Sequence, residues 1–113
     1  MSIITTIKAN RKYTGEQVEV PAVLPFEGAP WAVSCQIDRC LEDDMWTITH
    51  IKTGSQFNGA PYMETFYQRL LLAERLSREL PMDDVVFVNG EVHGITEEHR
   101  DAVRRIRQEE GML

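Results

Sequence analysis

The segment between Pro61 and Pro81 constrains the fold more than any other part of the chain. Proline is favoured at the first position of a helix and cannot continue one, so the spacing predicts a helix from Tyr62 to Leu80. Most of the sequence before Pro61 alternates between apolar and polar residues with a period of two, which is typical of strands. Strands followed by a long helix predict an α+β protein.

Four segments before the helix are predicted as strands. In the second of them Val18, Val20, Ala22 and Leu24 share one face, while Pro21 lacks a backbone donor. Because proline in sheets is confined to edges and bulges, we expect this strand to lie at an edge or to end in a bulge. The third alternates cleanly between an apolar and a more polar face, whereas neither side of the fourth is purely apolar, which favours a sheet with one face on the core and one partly covered. The four segments cover residues 2–9, 17–26, 31–38 and 45–54.

The segment after Pro81 predicts a small hairpin and a final helix. A short apolar run ends at Asn89-Gly90, a pair that favours a type I′ turn. Thr96 is a good N-cap for a helix that ends near Glu110. We therefore expect one α+β domain over residues 1–113, with an antiparallel-rich sheet of four to six short strands packed by one long helix and a C-terminal helix. The inward side of the last helix is predicted to hold Ala102, Val103 and Ile106.

Charge and composition restrict the classes of function. The chain carries 18 acidic and 12 basic residues, a net charge of −6, which disfavours nonspecific binding to nucleic acid or to anionic membranes. It has no apolar run near the ~18–20 residues that span a bilayer. The first residues place apolar side chains before charges, the reverse of a signal peptide, so we expect a cytoplasmic protein. No phosphate-binding loop is present, and we expect no cofactor.

The long helix is apolar on more than one side. Leu72 and Leu76 fall outside its main apolar stripe, on a side shared with Tyr62 and Arg69. Leucines beside a tyrosine and an arginine are typical of an interface with another chain. The alternative is that the C-terminal helix covers the two leucines. The predicted main stripe consists of Met63, Phe66, Tyr67, Leu70, Ala73 and Leu80.

Three histidines are candidates for chemistry. His50 lies in a strand beside threonines, and His93 and His99 flank the start of the last helix. No two of them have a recognised ligand spacing on one element, so a metal site is not indicated. We expect His50 to be a half-buried strand residue whose ring nitrogens bind a threonine or a backbone group.

The two cysteines favour packing over catalysis. Cys35 faces the same side of its strand as apolar neighbours, and Cys40 lies in an acidic loop where carboxylates oppose thiolate formation. The acidic loop contains Glu42, Asp43 and Asp44, and its charge is suited to steering a basic partner. The paired carboxylates of the chain are adjacent in sequence, whereas catalytic pairs converge from different elements.

The last helix presents several arginines on one side. Arg100, Arg104 and Arg107 recur at spacings of four and three residues, which is typical of a basic contact face. Interleaved acids and the lack of aromatic residues favour an ion-paired surface helix instead. A nucleic-acid-binding helix, joined by the basic segment 8–12, remains the alternative interpretation.

The segment from Trp46 to Gly54 resembles small accessory proteins encoded by bacteriophages, prophages and plasmids. In those proteins an aromatic-led strand with a Thr-His pair and a terminal Thr-Gly leads into a helix. The matching residues are Trp46, Thr49, His50, Thr53 and Gly54. The resemblance covers about a third of the chain and carries over no catalytic residue. It implies an origin in a mobile element and a small intracellular binding protein.

Three functions follow from these observations. The leading hypothesis is a non-enzymatic protein-binding module that contacts a host or phage protein, or a second copy of itself, through Leu72 and Leu76. The alternative is a nucleic-acid-binding accessory protein that uses the arginines of the last helix. The second alternative is a small metal-dependent enzyme that uses His50, His93 or His99.

Overall fold

The computed structural model describes residues 2–10, 16–35, 46–57 and 65–111 of the chain. Four strands form one antiparallel sheet in chain order, a separate hairpin follows, and two helices complete the predicted α+β class. Within these ranges, no helix is long and apolar enough to span a membrane. The elements are β1 (Ile3–Asn10), β2 (Gln17–Leu24), β3 (Trp31–Cys35), β4 (Trp46–His50), α1 (Phe66–Glu79), β5 (Val86–Val88), β6 (Glu91–His93) and α2 (Glu97–Glu109).

Pro21 lies in a central strand, not at a sheet edge, because β2 pairs with β1 along its whole length and with β3 on its other side. The pairing with β3 is restricted to Ala22 and Val23. In an antiparallel ladder, backbone groups point alternately to the two neighbouring strands. By this alternation the backbone N–H of residue 21 would point towards β3, but a proline has no N–H to donate. The proline therefore ends one ladder instead of marking an edge.

Both faces of β3 and β4 are buried, which differs from the expected half-covered sheet. Every residue of β3, and β4 from Thr47 to His50, is buried. One face packs under α1 and α2, and its buried members include Trp31, Val33 and Ile48. The other face forms a second cluster of small and β-branched side chains, so the sheet separates two layers of core. This second cluster consists of Ile7, Ala9, Val20, Ala22, Ala32 and Cys35.

Helix α1 begins four residues later than predicted. Thr65 is extended (φ −128°, ψ 156°) and accepts a hydrogen bond from the backbone N–H of Gln68, while the Gln68 side chain accepts one from Thr65 N–H. This capping box fixes the first turn at Phe66. The helix ends at Glu79, before Pro81, as predicted. The predicted first helical position, Pro61, and Met63 of the predicted stripe lie outside the described residues.

The core-facing side of α1 is rotated relative to the predicted stripe. Tyr67, assigned to that stripe, is 65% exposed, whereas Leu72 and Leu76 are fully buried. The sheet and Ile106 of α2 meet the helix on the side of these leucines. The remaining predicted stripe residues, Phe66, Leu70, Ala73 and Leu80, are buried or half-buried against the same cluster.

Helix α2 is held to α1 by a charged clamp and one deep apolar contact. Thr96 caps the helix as predicted, and Ile106 is its fully buried residue. At its other end Arg75 of α1 pairs with Glu110 at 3.1 Å and also with Glu109. The preceding hairpin turns at Asn89 and Gly90, whose φ angles of 52° and 79° confirm the predicted type I′ turn.

Candidate functional site

His50 is an internal structural residue. Its side chain has no exposed surface, its Nε2 lies 2.8 Å from the carbonyl oxygen of Pro81, and its Nδ1 lies 2.9 Å from Thr53 Oγ1. Because a carbonyl can only accept, Nε2 carries the proton, and Thr53 donates its hydroxyl hydrogen to Nδ1. Both expected kinds of partner, a threonine and a backbone group, are thus present. His50 is, however, fully buried and not half-buried as expected.

The environment of His50 opposes both catalysis and metal binding. Burial lowers the pKa of His50 below its ordinary value of 6.5, and the hydrogen bond to Pro81 opposes that shift. Trp31 lies over the ring with centroids 4.9 Å apart. A neutral imidazole with both nitrogens engaged has no lone pair free for a metal and no path to a substrate.

Trp31 joins the sheet to the end of α1. Its indole N–H donates to the carbonyl of Leu80 at 2.7 Å, and its backbone N–H donates to Ser77 Oγ at 3.3 Å. Ser77 in turn donates to Ala73 within the helix. Together with the bond from His50 to Pro81, these contacts fix the end of α1 onto β3 and β4.

The turn after β4 closes onto the end of β1. Asn10 donates its backbone N–H to Gly54 O at 3.0 Å and its side-chain amide to Thr53 O at 2.8 Å. Gly54 has a φ of +75°, and a Cβ there would lie 2.5 Å from Asn10 Oδ1. Glycine is required at this position both for the left-handed backbone and for the close approach of Asn10.

The residues that carry the resemblance to mobile-element proteins therefore have structural roles. Trp46 packs edge-on against Phe66 with centroids 5.2 Å apart, and the hydroxyl groups of Thr49 and Ser34 bond at 2.8 Å inside the sheet. With His50 and its turn, they fix β4 to its neighbours. These matching residues hold the fold together, and none of them is an exposed reactive group.

The other reactive side chains do not assemble into a site in the described part of the chain. Cys35 is buried, as its strand position predicted. His99 accepts a hydrogen bond from Thr96 N–H and lies 3.7 Å from Asp84, whereas His93 is exposed on the hairpin. No group of three or more metal-binding side chains occurs among the described residues. Cys40, Glu42, Asp43 and Asp44 lie outside those residues.

The proposed interface on α1 is wrong as to its central residues. Leu72, Leu76 and Arg69 are buried within the chain itself, so they offer no surface to a second molecule. Sheet residues and Ile106 cover the two leucines, which supports the intramolecular alternative. Tyr62 lies outside the described residues.

The arginine face of α2 is paired with its own acids. Arg100 binds Glu97 at 2.9 Å and Arg104 binds Asp101 at 3.0 Å, each one helical turn apart. Arg107 is half-buried. These pairs match the solvated, ion-paired helix, and they reduce the positive field that a phosphate backbone would meet.

The open edge of β1 is the surface that the sequence did not reveal. Because Asn10 N–H points to Gly54, away from β2, the regular register directs the backbone groups of Ile4, Thr6 and Lys8 away from β2 as well. No hydrogen bond to these outward groups occurs in the described segments. Ile4 is 85% exposed, the most exposed of the large apolar side chains that the structure describes.

The opposite edge of the sheet is covered. His50 N–H donates to Ser55 O, Phe57 N–H donates to Ile48 O, and Gln56 bridges to Thr49. The chain thus folds back along β4 and occupies the outward groups of that strand. Among the residues that the structure describes, the sheet has one protected edge and one open edge, and an open edge is a template for an additional strand.

One sequence signal points to this edge in retrospect. From Ser2 to Ile7 the chain has no charge and no proline, although exposed edge strands usually carry such protective residues. The signal could not be used without the strand order, because only the order shows that β1 lies at an edge.

Comparisons of the chain with protein families, with curated proteins and with solved structures gave no match.

Proposed function

We propose that this chain is a non-enzymatic protein-binding module whose contact surface is the open edge of β1. A partner adds an extended segment to this edge as a fifth strand of the sheet. The observation that carries the proposal is the asymmetry between the edges, since residues 55–57 cover β4, whereas no described residue pairs with the outward side of β1 from Ile4 to Lys8.

The backbone supplies the affinity in this mode of binding. Ile4, Thr6 and Lys8 each offer one donor and one acceptor on the open side. A strand that pairs with them forms hydrogen bonds with a net value of about 0.5–1.5 kcal/mol each. The β2 ladder already holds these residues extended, so the edge loses little conformational freedom on binding.

The side chains of β1 supply selectivity. Ile4, Thr6 and Lys8 lie on one face of the strand and are exposed. The single charge of the described strand, Lys8, lies opposite Glu19 in the register with β2. A partner strand therefore meets a surface of apolar and hydroxyl groups with one charge, which favours an uncharged, β-branched segment.

The cytoplasmic location and the origin in a mobile element belong to the same proposal. They rest on the resemblance of Trp46 to Gly54. An edge-binding module of this size would act by occupying a strand of a host or phage protein. The negative charge of Glu42, Asp43 and Asp44 would favour a basic partner.

The test removes one outward backbone donor without altering the β1–β2 ladder. Thr6→Pro deletes the N–H that points to the open edge, at an edge position where proline is tolerated. Thr6→Ala is the matched control because it keeps that N–H. Nine-residue peptides selected by phage display against the unaltered protein serve as probes.

We expect Thr6→Pro to weaken these peptides at least tenfold, about 1.4 kcal/mol, and Thr6→Ala to leave their affinity nearly unchanged. Circular dichroism should show the same fold for both variants. Peptides that bind Thr6→Pro as tightly as the unaltered protein would show that binding uses another surface.

A further inference from the structure

We infer that the occupant of the open edge is a second copy of β1, paired antiparallel about a two-fold axis that passes through Thr6. This inference rests on the proposed function and specifies its partner. The two four-stranded sheets would then form one continuous eight-stranded sheet. Two-fold dimers present the same patch on both subunits, so the patch has to be complementary to itself.

The open edge satisfies this condition. The outward positions, Ile4, Thr6 and Lys8, are spaced evenly about Thr6. An antiparallel copy centred on Thr6 places Thr6 opposite Thr6 and Ile4 opposite Lys8 of the other copy. Every outward N–H and C=O of the three positions then finds a partner.

The ends of this register coincide with the ends of the open edge. Beyond Lys8 the next outward N–H, that of Asn10, is already bonded to Gly54 O at 3.0 Å. The turn after β4 therefore limits the pairing to the three open positions. A register shifted towards Asn10 would require the partner strand to displace that turn.

The side chains also fit this register. Ile4, 85% exposed in the single chain, would be covered by the aliphatic stem of Lys8 from the other copy. Lys8 lies opposite Glu19 of its own chain in the β1–β2 register. No like charges of the described strand lie opposite one another, and the segment from Ser2 to Ile7 is rich in β-branched residues suited to pairing.

The experiment uses two substitutions at the same exposed position. Ile4→Lys places a lysine opposite Lys8 of the other copy, twice per dimer, whereas Ile4→Glu places an opposite charge there. Sedimentation equilibrium over a wide concentration range gives the dissociation constant of each protein. Leu71→Lys, at an exposed position on α1, controls for the addition of a surface charge.

We expect the unaltered protein and Leu71→Lys to be dimers with the same dissociation constant. Ile4→Lys should weaken the dimer about tenfold, which corresponds to about 1.4 kcal/mol, and Ile4→Glu should stay within a few-fold of the unaltered protein although it adds negative charge. Unchanged dimers of both Ile4 variants would overturn the inference, because the dimer would then use another surface. Equal weakening by both would overturn the Thr6-centred pairing.

A monomer at every concentration would overturn the second copy as occupant. The proposed function would then be judged separately, by whether Thr6→Pro weakens binding of the selected peptides at least tenfold. Peptide binding that depends on Thr6 in a monomeric protein would mean that β1 accepts a strand from a different protein. A monomeric protein whose peptide binding does not depend on Thr6 would contradict the proposed function itself.

Discussion

At the scale of single residues, His50 shows how far sequence can predict a side chain's surroundings. Its neighbours in the strand indicated a threonine and a backbone partner, and Thr53 and Pro81 fill these roles. The completeness of its burial could not be predicted, because Pro81 and Trp31 reach it through pairings between distant segments. Local patterns predict the kind of contact, whereas long-range packing decides its depth.

The buried imidazole predicts a pH dependence of stability. Since the pKa of His50 is lowered in the folded protein, the unfolded chain binds a proton first as the pH falls below 6.5, and stability decreases across that range. This one residue contributes at most about 1.4 kcal/mol per pH unit, and its stabilisation is complete above pH 6.5. Urea unfolding between about pH 7.5 and 5.5 measures the slope.

His50→Gln should reduce this slope, because glutamine can still donate to Pro81 O but does not titrate. His93→Gln, on the exposed hairpin, is the control and should keep it. An unchanged slope in His50→Gln would show that His50 is not the group responsible.

An alanine substitution at Gly54 should destabilise the protein more than the same substitution at Gly90. Gly54→Ala combines an unfavourable left-handed backbone, about 1–2 kcal/mol, with a clash at Asn10 that breaks a hydrogen bond worth about 1 kcal/mol. Gly90 has a similar φ of +79° but no atom within 4 Å of its added Cβ. Thermal or urea unfolding should show a larger loss for Gly54→Ala than for Gly90→Ala. Equal losses would mean that the contact with Asn10 has no energetic role.

At the scale of elements, α1 was correctly predicted as a helix but its buried face was not. A helix with apolar residues on two sides does not itself specify which side meets the sheet. The sequence favoured the stripe that includes Tyr67, whereas the structure buries Leu72 and Leu76. The position of β3 and β4 determines which side of α1 is buried. That position depends on pairing between distant strands, which a local sequence pattern does not show.

Adjacent leucines on α1 test this orientation. Leu72 is 1% exposed and Leu71 is 47% exposed. Leu72→Ala should lower the free energy of unfolding by about 2–5 kcal/mol through lost burial and a residual cavity. Leu71→Ala should change it by less than about 0.5 kcal/mol. Similar losses for the two variants would contradict the orientation of the helix.

The contact between the two helices depends on Arg75. Its guanidinium binds Glu109, Glu79 and Glu110, and these bonds raise the pKa of Arg75 above its ordinary value. Arg75→Gln should lower stability by about 1 kcal/mol at low salt, with a smaller difference at high salt because the network is partly exposed. Arg78→Gln, which removes one exposed pair with Glu74, should have little effect. A loss in Arg75→Gln that is independent of salt would contradict an ionic clamp.

At the scale of the whole molecule, the strands were predicted largely where they occur, whereas their order was not. Each strand's alternation is local, but the order depends on pairings such as Val23 with Val33 and on the return of residues 55–57 along β4. Pro21 illustrates the difference, because its missing donor was recognised but was assigned to an edge or a bulge. The open edge of β1 emerges only at this scale, as the edge that the described part of the chain leaves uncovered.

The most direct test of the open edge is amide hydrogen exchange, followed residue by residue by NMR at low and high protein concentration. In the dilute protein, the amides of Thr6 and Lys8 should exchange rapidly, while that of Thr5 is protected by β2 and that of Asn10 by Gly54. On concentration, Ile4, Thr6 and Lys8 should become protected together. Protection of Thr6 and Lys8 in the dilute monomer would contradict an open edge, and a dimer that forms without protecting them would contradict its use in binding.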